Sequence, residues 1–274
     1  PGFEVAPGNE LNGITFGGVG SGAFAEYLQV HNSSDDGIEW FGGRVNHRYI
    51  AITGADDDSL DTDLGYRGAA QFGLVLQRST GGDRMIEAET SGNDTRTPRS
   101  RPMLSNFTFI GRRTPNGLLF RGGTDFDVVN SIIQKDAGAC VQFADAFTIS
   151  TDNAPSDPTA KKAGPPNFRS VFMSCTGGAA NGSGGITTQQ VTDILNETGR
   201  GNVLTGTSTL TGTFFPGANE LAVTPFAASG LNSFFANTSY VGAFSSATDT
   251  WFNGWACGLG GSTAACTVAP LPIQ

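Results

Sequence analysis

Apolar residues recur along the first half of this chain at a fixed spacing. The segment YLQVHNSSDDGIEW, which begins at Tyr27, aligns with YIAITGADDDSLDT, which begins at Tyr49, at an offset of 22 residues throughout. The further copies, of which the first is incomplete, begin at Phe3, Gln71, Asn106 and Asn130. Each copy holds two short runs of alternating apolar and polar residues joined by a polar turn, and this pattern indicates β-strands.

The alternation predicts which side chains face the interior. In the first strand of each copy, the expected inward residues are Leu28, Val30, Ile50, Ile52, Phe72, Leu74, Phe107, Phe109, Ser131 and Ile133. In the second strand, they are Ile38, Leu60, Ile86, Leu118 and Val141. Short strands that return about every 22 residues, with no helix between them, predict an all-β fold, a right-handed parallel β-helix of stacked coils. A β-sandwich is the alternative, but it does not explain why acids, glycines and apolar residues return together.

The periodicity fades after residue 145. We expect residues 1–145 to form the periodic coils. Residues 146–274 are expected to form one or more final coils, Pro- and Gly-rich loops, and an irregular, disulfide-pinned C-terminal cap within the same continuous domain. The stretch TTQQVTDILNET, which begins at Thr187, is a candidate short helix in this region.

The four cysteines predict two disulfides. Cys257 and Cys266 bracket a Gly-rich stretch, whereas a Pro-, Ser- and Gly-rich segment separates Cys140 from Cys175. Because no spacing of cysteines and histidines suggests zinc, we expect the pairs 140–175 and 257–266. Such pairs indicate an oxidising, extracellular compartment. Four free buried thiols are the alternative.

Composition narrows the set of partners. The formal net charge of −9 and the pI near 4.6 argue against a nucleic-acid or anionic-membrane partner. No run of about 18 apolar residues occurs, so we expect no membrane span in this chain. Because the chain begins at Pro1 rather than at a methionine, we expect a processed or excised piece of a longer chain, with end-to-end contacts to further β-helix segments.

Stacking the copies places acidic residues in three columns. The columns are Asp35, Asp57 and Asp83; then Asp36, Asp58 and Arg84; then Glu39, Asp61 and Glu87. Coils lie about 4.8 Å apart, and at an effective dielectric of about 20 each like-charged pair then costs on the order of 3 kcal/mol. The columns therefore predict a counterion or protonation, and dense oxygen ligands suit Ca²⁺. A solvated acidic turn, screened by salt, is the alternative.

Other polar residues have less specific patterns. Tyr66, Arg67 and Arg84 could edge the acidic columns and contact a sugar or its carboxylate, with turn and core-packing roles as the alternatives. His31 and His47 are isolated in the sequence, and we expect surface positions for both.

Several blocks carry a family resemblance. NELNGITFGGVGSG, HNSSDDGIEWFGGRVN and the pair TGADDDSLD and GYRG resemble a family of secreted or lipid-anchored bacterial β-helix proteins, and YVGAF and WFNGW are similar to the C-terminal ends of that family. The resemblance implies a parallel β-helix on the outer surface of a bacterium, without an established reaction.

The chain is more distantly similar to calcium-dependent pectate lyases, which are β-helices with outward aspartates. That likeness implies a Ca²⁺ that bridges a uronate carboxylate and a base, Arg84, that removes the α-proton. The aspartates that it assigns to the ion are Asp35, Asp36, Asp57, Asp58 and Asp61. The chain departs from this pattern because it is Lys-poor and no lysine is expected near the site.

Together these features predict an extracellular, calcium-stabilised β-helix module that is structural or glycan-binding and carries out no catalysis. Its expected partner is a polysaccharide or a cell-surface component. The alternative function is a calcium-dependent polysaccharide lyase that acts on acidic glycans. A hydrolase that uses two of the carboxylates of Asp57, Asp58 and Asp61 is a further alternative.

Overall fold

A computed structural model describes residues 5–6, 10–91, 97–112, 116–150, 164–259 and 264–266. In chain order the strands of this part are β1 (Ile14–Gly17), β2 (Phe24–His31), β3 (Ile38–Phe41), β4 (Asn46–Thr53), β5 (Leu60–Asp63), β6 (Ala69–Leu76), β7 (Ile86–Ala88), β8 (Met103–Gly111), β9 (Leu118–Phe120), β10 (Asp127–Val129), β11 (Ile132–Lys135), β12 (Val141–Ala144), β13 (Asn167–Arg169), β14 (Phe172–Cys175) and β15 (Ala180–Ser183). The helices are α1 (Thr188–Leu195) and α2 (Ala218–Leu221), with short 3₁₀ helices at Ala146–Ile149 and Ala228–Gly230.

The strands form two parallel sheets. One, the short-strand sheet, has the order β1-β3-β5-β7-β9-β12-β15, so each strand pairs with the equivalent strand of the next coil. The other, the long-strand sheet, has the order β13-β10-β8-β6-β4-β2, with β11 paired to β8 and β14. Successive strands along the chain alternate between the two sheets for the first four coils. This arrangement confirms the predicted parallel β-helix.

The inward residues of the short-strand sheet follow the prediction. Ile38 pairs with Leu60, and Leu118 pairs with both Ile86 and Val141. All five side chains are buried and belong to the main core cluster. Their burial provides the hydrophobic free energy that holds one coil on the next.

The prediction was wrong for the third copy of the long strand, where Phe72 and Leu74 were expected to face inward. The inward column instead continues from Ile50 to Gly73, an offset of 23 residues rather than 22, so Phe72 takes the left-handed position that Tyr49 has in the preceding strand. Gly73 is required there, since a Cβ atom would collide with the ring of Phe107. Leu74 is fully buried, but on the outer side of the sheet.

The C-terminal segment (residues 203–259) covers that outer side. Its Phe214, Phe244 and Phe252 form a second core cluster with outward residues of the long-strand sheet, among them Leu74 and Ile110. The segment therefore runs lengthwise along the coils, where the sequence predicted only a cap over the last one.

Side-chain amides fasten the C-terminal segment to the coils. Each amide both donates to and accepts from the backbone of one residue, as a neighbouring peptide would. These amide clamps join Gln29 to Cys257, Gln71 to Ala236 and Asn130 to Phe226, with N···O distances between 2.7 and 2.9 Å. The clamps satisfy partly buried backbone groups of a segment that has little regular secondary structure.

Helix α1 closes the last coil. Thr187 caps its first turn together with Gln190, and the helix buries Val191 and Leu195 in the main core cluster. The expected helix near residue 187 is thus confirmed. No helix in the described ranges has both the length and the apolar character needed to cross a membrane.

Both predicted disulfides are present. Cys140, directly before β12, is bonded to Cys175 at the end of β14, and so links two successive coils. Cys257 is bonded to Cys266 within the irregular C-terminal region. No free cysteine occurs in the described residues, so the alternative of four free thiols was wrong.

Candidate functional site

The acidic columns lie at the start of the short strands. The backbone N–H of Asp57 donates to Asp35 O at 3.5 Å, and that of Asp83 donates to Asp57 O at 2.9 Å, which aligns the first column. In the third column Asp61 pairs in register with both Glu39 and Glu87. Parallel stacking therefore brings together the acids that the sequence repeats. We call this surface the acidic face.

Carboxylate oxygens of the acidic face form three groups in which the oxygens lie within 4.8 Å of one another. The groups are Asp35, Asp36 and Asp57; Asp36, Glu39 and Asp61; and Asp57, Asp58 and Asp83. Two oxygens bound to one Ca²⁺ at 2.3–2.6 Å can lie at most about 5 Å apart. The spacing of each group therefore fits a single calcium ion.

The second column is the most deeply buried because its carboxylates bind the backbone of the next coil. Asp36 Oδ1 accepts the backbone N–H of Asp58 at 2.9 Å, and Asp58 Oδ1 accepts that of Arg84 at 2.6 Å. Asp36 is 6 % exposed and Asp58 is 5 % exposed. These two aspartates are thus held in place by the fold and cannot splay into water.

Burial and mutual repulsion make the ionised state of this face unfavourable. Burial, followed by the nearby charges of Glu39, Asp35 and Asp57, raises the pKa of Asp36 to about 8. Burial and the charges of Asp36, Glu39 and Glu87 raise the pKa of Asp61 to about 9. Burial is also the largest cause that raises the pKa values of four further members, Glu39, Asp57, Asp58 and Glu87. At neutral pH these groups require protons or a cation.

One oxygen of the acidic face has no hydrogen-bond partner. Asp61 Oδ1 is buried and accepts no hydrogen bond from any described donor. A buried acceptor without a partner costs about 1–3 kcal/mol. Asp61 also belongs to one of the three carboxylate groups, so a cation bound by that group would coordinate this side chain.

Two arginines border the acidic face. The guanidinium of Arg84 donates to Asn116 O at 2.9 Å and lies 3.6 Å from a carboxylate oxygen of Asp83. Arg121 forms ion pairs with Glu87 and Glu89. The positive charge is therefore concentrated at one end of the acidic face.

Lys135 was missed at the sequence level. It is 1 % exposed, and its ammonium has no hydrogen-bond partner among the described residues. Burial and repulsion from Arg84 lower its pKa to about 8, while Asp136 and Asp83 act in the opposite direction. The signal was available, because Lys135 stands two residues after the inward Ile133 and so faces the same side of the strand. The expectation that no lysine lies near the site was wrong.

Tyr66 and Arg67 do not edge the acidic face as expected. Tyr66 is 2 % exposed, its hydroxyl donates to Val45 O at 2.9 Å, and its ring stacks on Trp40 at 5.2 Å between centroids. Tyr66 is therefore a core residue. Arg67 lines a separate cleft together with Arg44 and Arg101.

The surface position expected for His47 was also wrong. The imidazole is fully buried, accepts the indole N–H of Trp40 at 3.0 Å and donates to Ala25 O at 3.2 Å. Burial lowers the pKa of His47 to about 4, so the ring is neutral at neutral pH. His31 is only partly buried, and its ring bonds Thr53 Oγ1 at 2.7 Å.

Comparison with known proteins gives one match. The family model described as a pectate-lyase-like β-helix domain matches residues 1–256, which is nearly the whole chain. No curated protein and no solved structure matches the sequence. The match agrees with the observed parallel coils and supports a polysaccharide-related module.

Proposed function

We propose a function on the premise that the chain belongs to the pectate-lyase-like β-helix domain family. The protein is an extracellular β-helix module that calcium stabilises through the acidic face, and it serves as a structural or glycan-binding surface without catalysis. The partner is a polysaccharide or a cell-surface component.

The observation that carries the calcium proposal is the carboxylate packing of the acidic face. Three groups of oxygens have the spacing of ligands to one calcium ion, and Asp61 Oδ1 lacks a hydrogen-bond donor. All the ligands are hard oxygens, which Ca²⁺ prefers, and their irregular arrangement suits its flexible coordination.

The raised pKa values predict how calcium and protons compete. Without a cation, Asp36 and Asp61 hold protons at neutral pH because their pKa values are about 8 and 9. Calcium binding requires ionised carboxylates and therefore releases protons. We expect calcium affinity to rise between pH 6 and pH 9, and proton release on binding to be measurable in weakly buffered solution.

Thermal unfolding tests the proposal. Chelator should lower the Tm, Ca²⁺ should restore it, and Na⁺ at equal ionic strength should not. At a free calcium concentration of 100 times Kd the stabilisation is about 2.7 kcal/mol. Asp61→Asn should abolish most of the calcium-dependent gain. Asp193→Asn, which removes an exposed carboxylate on α1, is the matched control and should retain it. An identical Tm in chelator and in calcium would disprove the proposal.

The proposed location and contacts rest on separate observations. The two disulfides are consistent with an extracellular protein. We place the module on the outer surface of a bacterium, in a secreted or lipid-anchored parent. Because β1 and β2 are the outermost strands of the two sheets, end-to-end contacts with another β-helix segment would form there.

The lyase alternative requires Arg84 to accept a proton. Its guanidinium instead donates to Asn116 O and to Gln142 Oε1, and arginine side chains in general keep their proton in proteins. We therefore expect no unsaturated, ultraviolet-absorbing products when the calcium-loaded protein is incubated with polygalacturonate or alginate. Products that form with wild type and disappear in Arg84→Ala would replace the non-catalytic proposal with the lyase.

A further inference from the structure

Three arginines form a column on a different part of the coils. Arg44, Arg67 and Arg101 each stand two residues before a long strand, and the three strands concerned, β4, β6 and β8, pair in parallel. The backbone N–H of Arg67 donates to Gly43 O, and that of Arg101 donates to Tyr66 O, so successive arginines lie one coil apart. Because neighbouring coils lie about 4.8 Å apart, this repeat places three positively charged side chains along one edge of the coils.

These arginines line a cleft of about 330 Å³. The C-terminal segment forms the opposite wall with Leu231, Asn232 and Ser233, and Met103 contributes a further apolar surface. This wall is fixed in place, because Asn232 Nδ2 lies 3.6 Å from Met103 Sδ and an amide clamp holds the segment a few residues further on. We call this site the arginine cleft.

The charge of the arginine cleft is opposite to that of the whole chain. The chain carries 16 basic and 25 acidic residues, yet no acidic residue is among those that line the cleft. Arg101 pairs through Nε with Asp127 Oδ2 at 3.1 Å, and Arg67 Nη1 donates to Arg99 O at 3.4 Å. A localised positive cleft on an acidic protein attracts a small anionic group, whereas the overall charge of −9 opposes a nucleic acid.

We propose that the arginine cleft binds carboxylate groups of an acidic oligosaccharide. The inference rests on the proposed function in one respect, the polysaccharide partner. Guanidinium groups bind carboxylates through paired, charge-assisted hydrogen bonds. The apolar surfaces of Met103 and Leu231 suit the C–H face of a sugar ring, and the amide of Asn232 and the hydroxyl of Ser233 suit its hydroxyl groups.

The arginine cleft does not use the acidic face. It lies before the strands of the long-strand sheet, whereas the acidic face lies along the strands of the short-strand sheet. Saccharide binding at the cleft therefore needs no calcium. Its occupancy should persist in chelator and should weaken as salt screens the arginines.

Calorimetric titration with trigalacturonate in chelator at low ionic strength tests the inference. Wild type should bind the trisaccharide, and the fully methyl-esterified trisaccharide, which lacks the negative charges, should bind at least about tenfold more weakly. Arg67→Gln and Arg44→Gln should each weaken binding of the charged form by about tenfold while leaving the Tm within a few degrees. Arg112→Gln removes the same charge from an exposed ion pair with Asp136 outside the cleft, and it should bind as wild type does.

The possible outcomes separate the two proposals. Equal affinity for the esterified trisaccharide, or equal losses in Arg112→Gln and Arg67→Gln, would overturn the arginine cleft as a specific site. Binding that requires calcium and is unchanged in Arg67→Gln would locate the saccharide at the acidic face. This result would overturn the arginine cleft and leave the proposed function intact. Arginine-dependent binding by a protein whose Tm does not respond to chelator would support the arginine cleft and overturn the calcium proposal.

Discussion

The outer surfaces of the two sheets belong to the same coils and differ in almost every other respect. The short-strand sheet carries the acidic face, whose carboxylates repel one another. The long-strand sheet carries apolar outward residues such as Leu74 and Ile110, and the C-terminal segment buries them. Identical backbone stacking thus supports one surface of mutually repelling carboxylates and another that the C-terminal segment covers.

The difference shows that stacking order alone does not determine what holds a β-helix together. Coil-on-coil pairing aligns equivalent residues whatever their chemistry, so it concentrates charge as readily as it concentrates apolar area. Stability on the covered side comes from hydrophobic burial and hydrogen bonds. On the side of the acidic face, we propose that it depends on neutralisation of the carboxylates by protons or a cation. The two sides should therefore respond to different perturbations.

The largest expected effect is on the covered side. Phe244 is fully buried, packs on Phe214 and stacks on Trp251 at 5.2 Å between ring centroids. Phe244→Ala should lower the free energy of unfolding by about 3–5 kcal/mol, because it leaves a cavity between the segment and the sheet. Urea unfolding measures the change.

The outer surface of the short-strand sheet, which we call the open side, supplies the control for this substitution. Phe41 ends β3 with 36 % of its surface exposed, and Phe41→Ala should cost less than about 1 kcal/mol. Equal losses in the two variants would show that the C-terminal segment contributes no more than an exposed surface does.

A smaller loss is expected from an amide clamp. Gln71→Ala removes both hydrogen bonds to Ala236 and leaves a backbone donor and acceptor without partners, at a cost of about 2–3 kcal/mol. Hydrogen exchange should increase at residues 234–238 before it increases in the coils. Gln189→Ala, which removes an exposed side-chain hydrogen bond on α1, should leave both measurements nearly unchanged.

On the open side, pH separates protonation from calcium binding. The folded-state pKa of Asp61 is raised to about 9 from its usual 3.8. Its stabilising contribution is therefore complete below pH 3.8 and is lost as pH rises through 9. In chelator, stability should fall between pH 6.5 and 9 by up to about 1.4 kcal/mol per pH unit for Asp61, and Asp61→Asn should reduce this slope.

The measurement starts at pH 6.5 so that the titration of His47 does not contribute to the change in stability. Its folded-state pKa is lowered to about 4, so its contribution is present above 6.5 and is lost only as pH falls toward 4. A stability that stays constant from pH 6.5 to 9 in chelator would show that the carboxylates of the acidic face remain ionised in the absence of a bound cation.

The smallest expected effect concerns the arginine at the border of the acidic face. Arg121 neutralises part of the charge on Glu87 and Glu89. Arg121→Gln should therefore tighten calcium binding about two- to fivefold at low salt, and less at high salt. Arg200→Gln, which breaks an ion pair with Glu197 beyond α1, should have no effect on calcium affinity. Weaker calcium binding in Arg121→Gln would contradict the electrostatic account.

The short-strand sheet could be predicted almost completely from the sequence. Ile38, Leu60 and Ile86 mark a strict alternation, and the acids before them repeat with the same offset. The long-strand sheet could be predicted in most copies, since Ile52, Phe109 and Ile133 lie in the main core cluster as expected. The prediction failed in the third copy, where the inward column shifts by one residue to Gly73 and Phe72 takes the left-handed position that Tyr49 has in the preceding strand. Aromatic residues such as Tyr49 and Phe72 adopt this conformation here, and their sequence gives no sign of it.

The two candidate sites also differ in how far the sequence could predict them. The carboxylates of the acidic face are close in the repeat, so the sequence brought them together correctly. The arginine cleft joins Arg44 and Arg67 to residues more than 160 positions later, and nothing periodic links them. The position of Lys135 near the acidic face was not predicted for a different reason, because a charged residue was not expected to face the interior.

The amide clamp between Gln29 and Cys257 spans 228 positions of the chain and has a consequence for protein synthesis. At roughly 5–20 residues per second, a ribosome completes the first coils tens of seconds or so before it releases the residues that cover them. Throughout that interval the apolar outer side of the long-strand sheet is bare, and neighbouring nascent chains can adhere to it. We expect premature termination before residue 203 to yield insoluble product even though every coil is present, and holdase chaperones to bind the nascent chain mainly during this period.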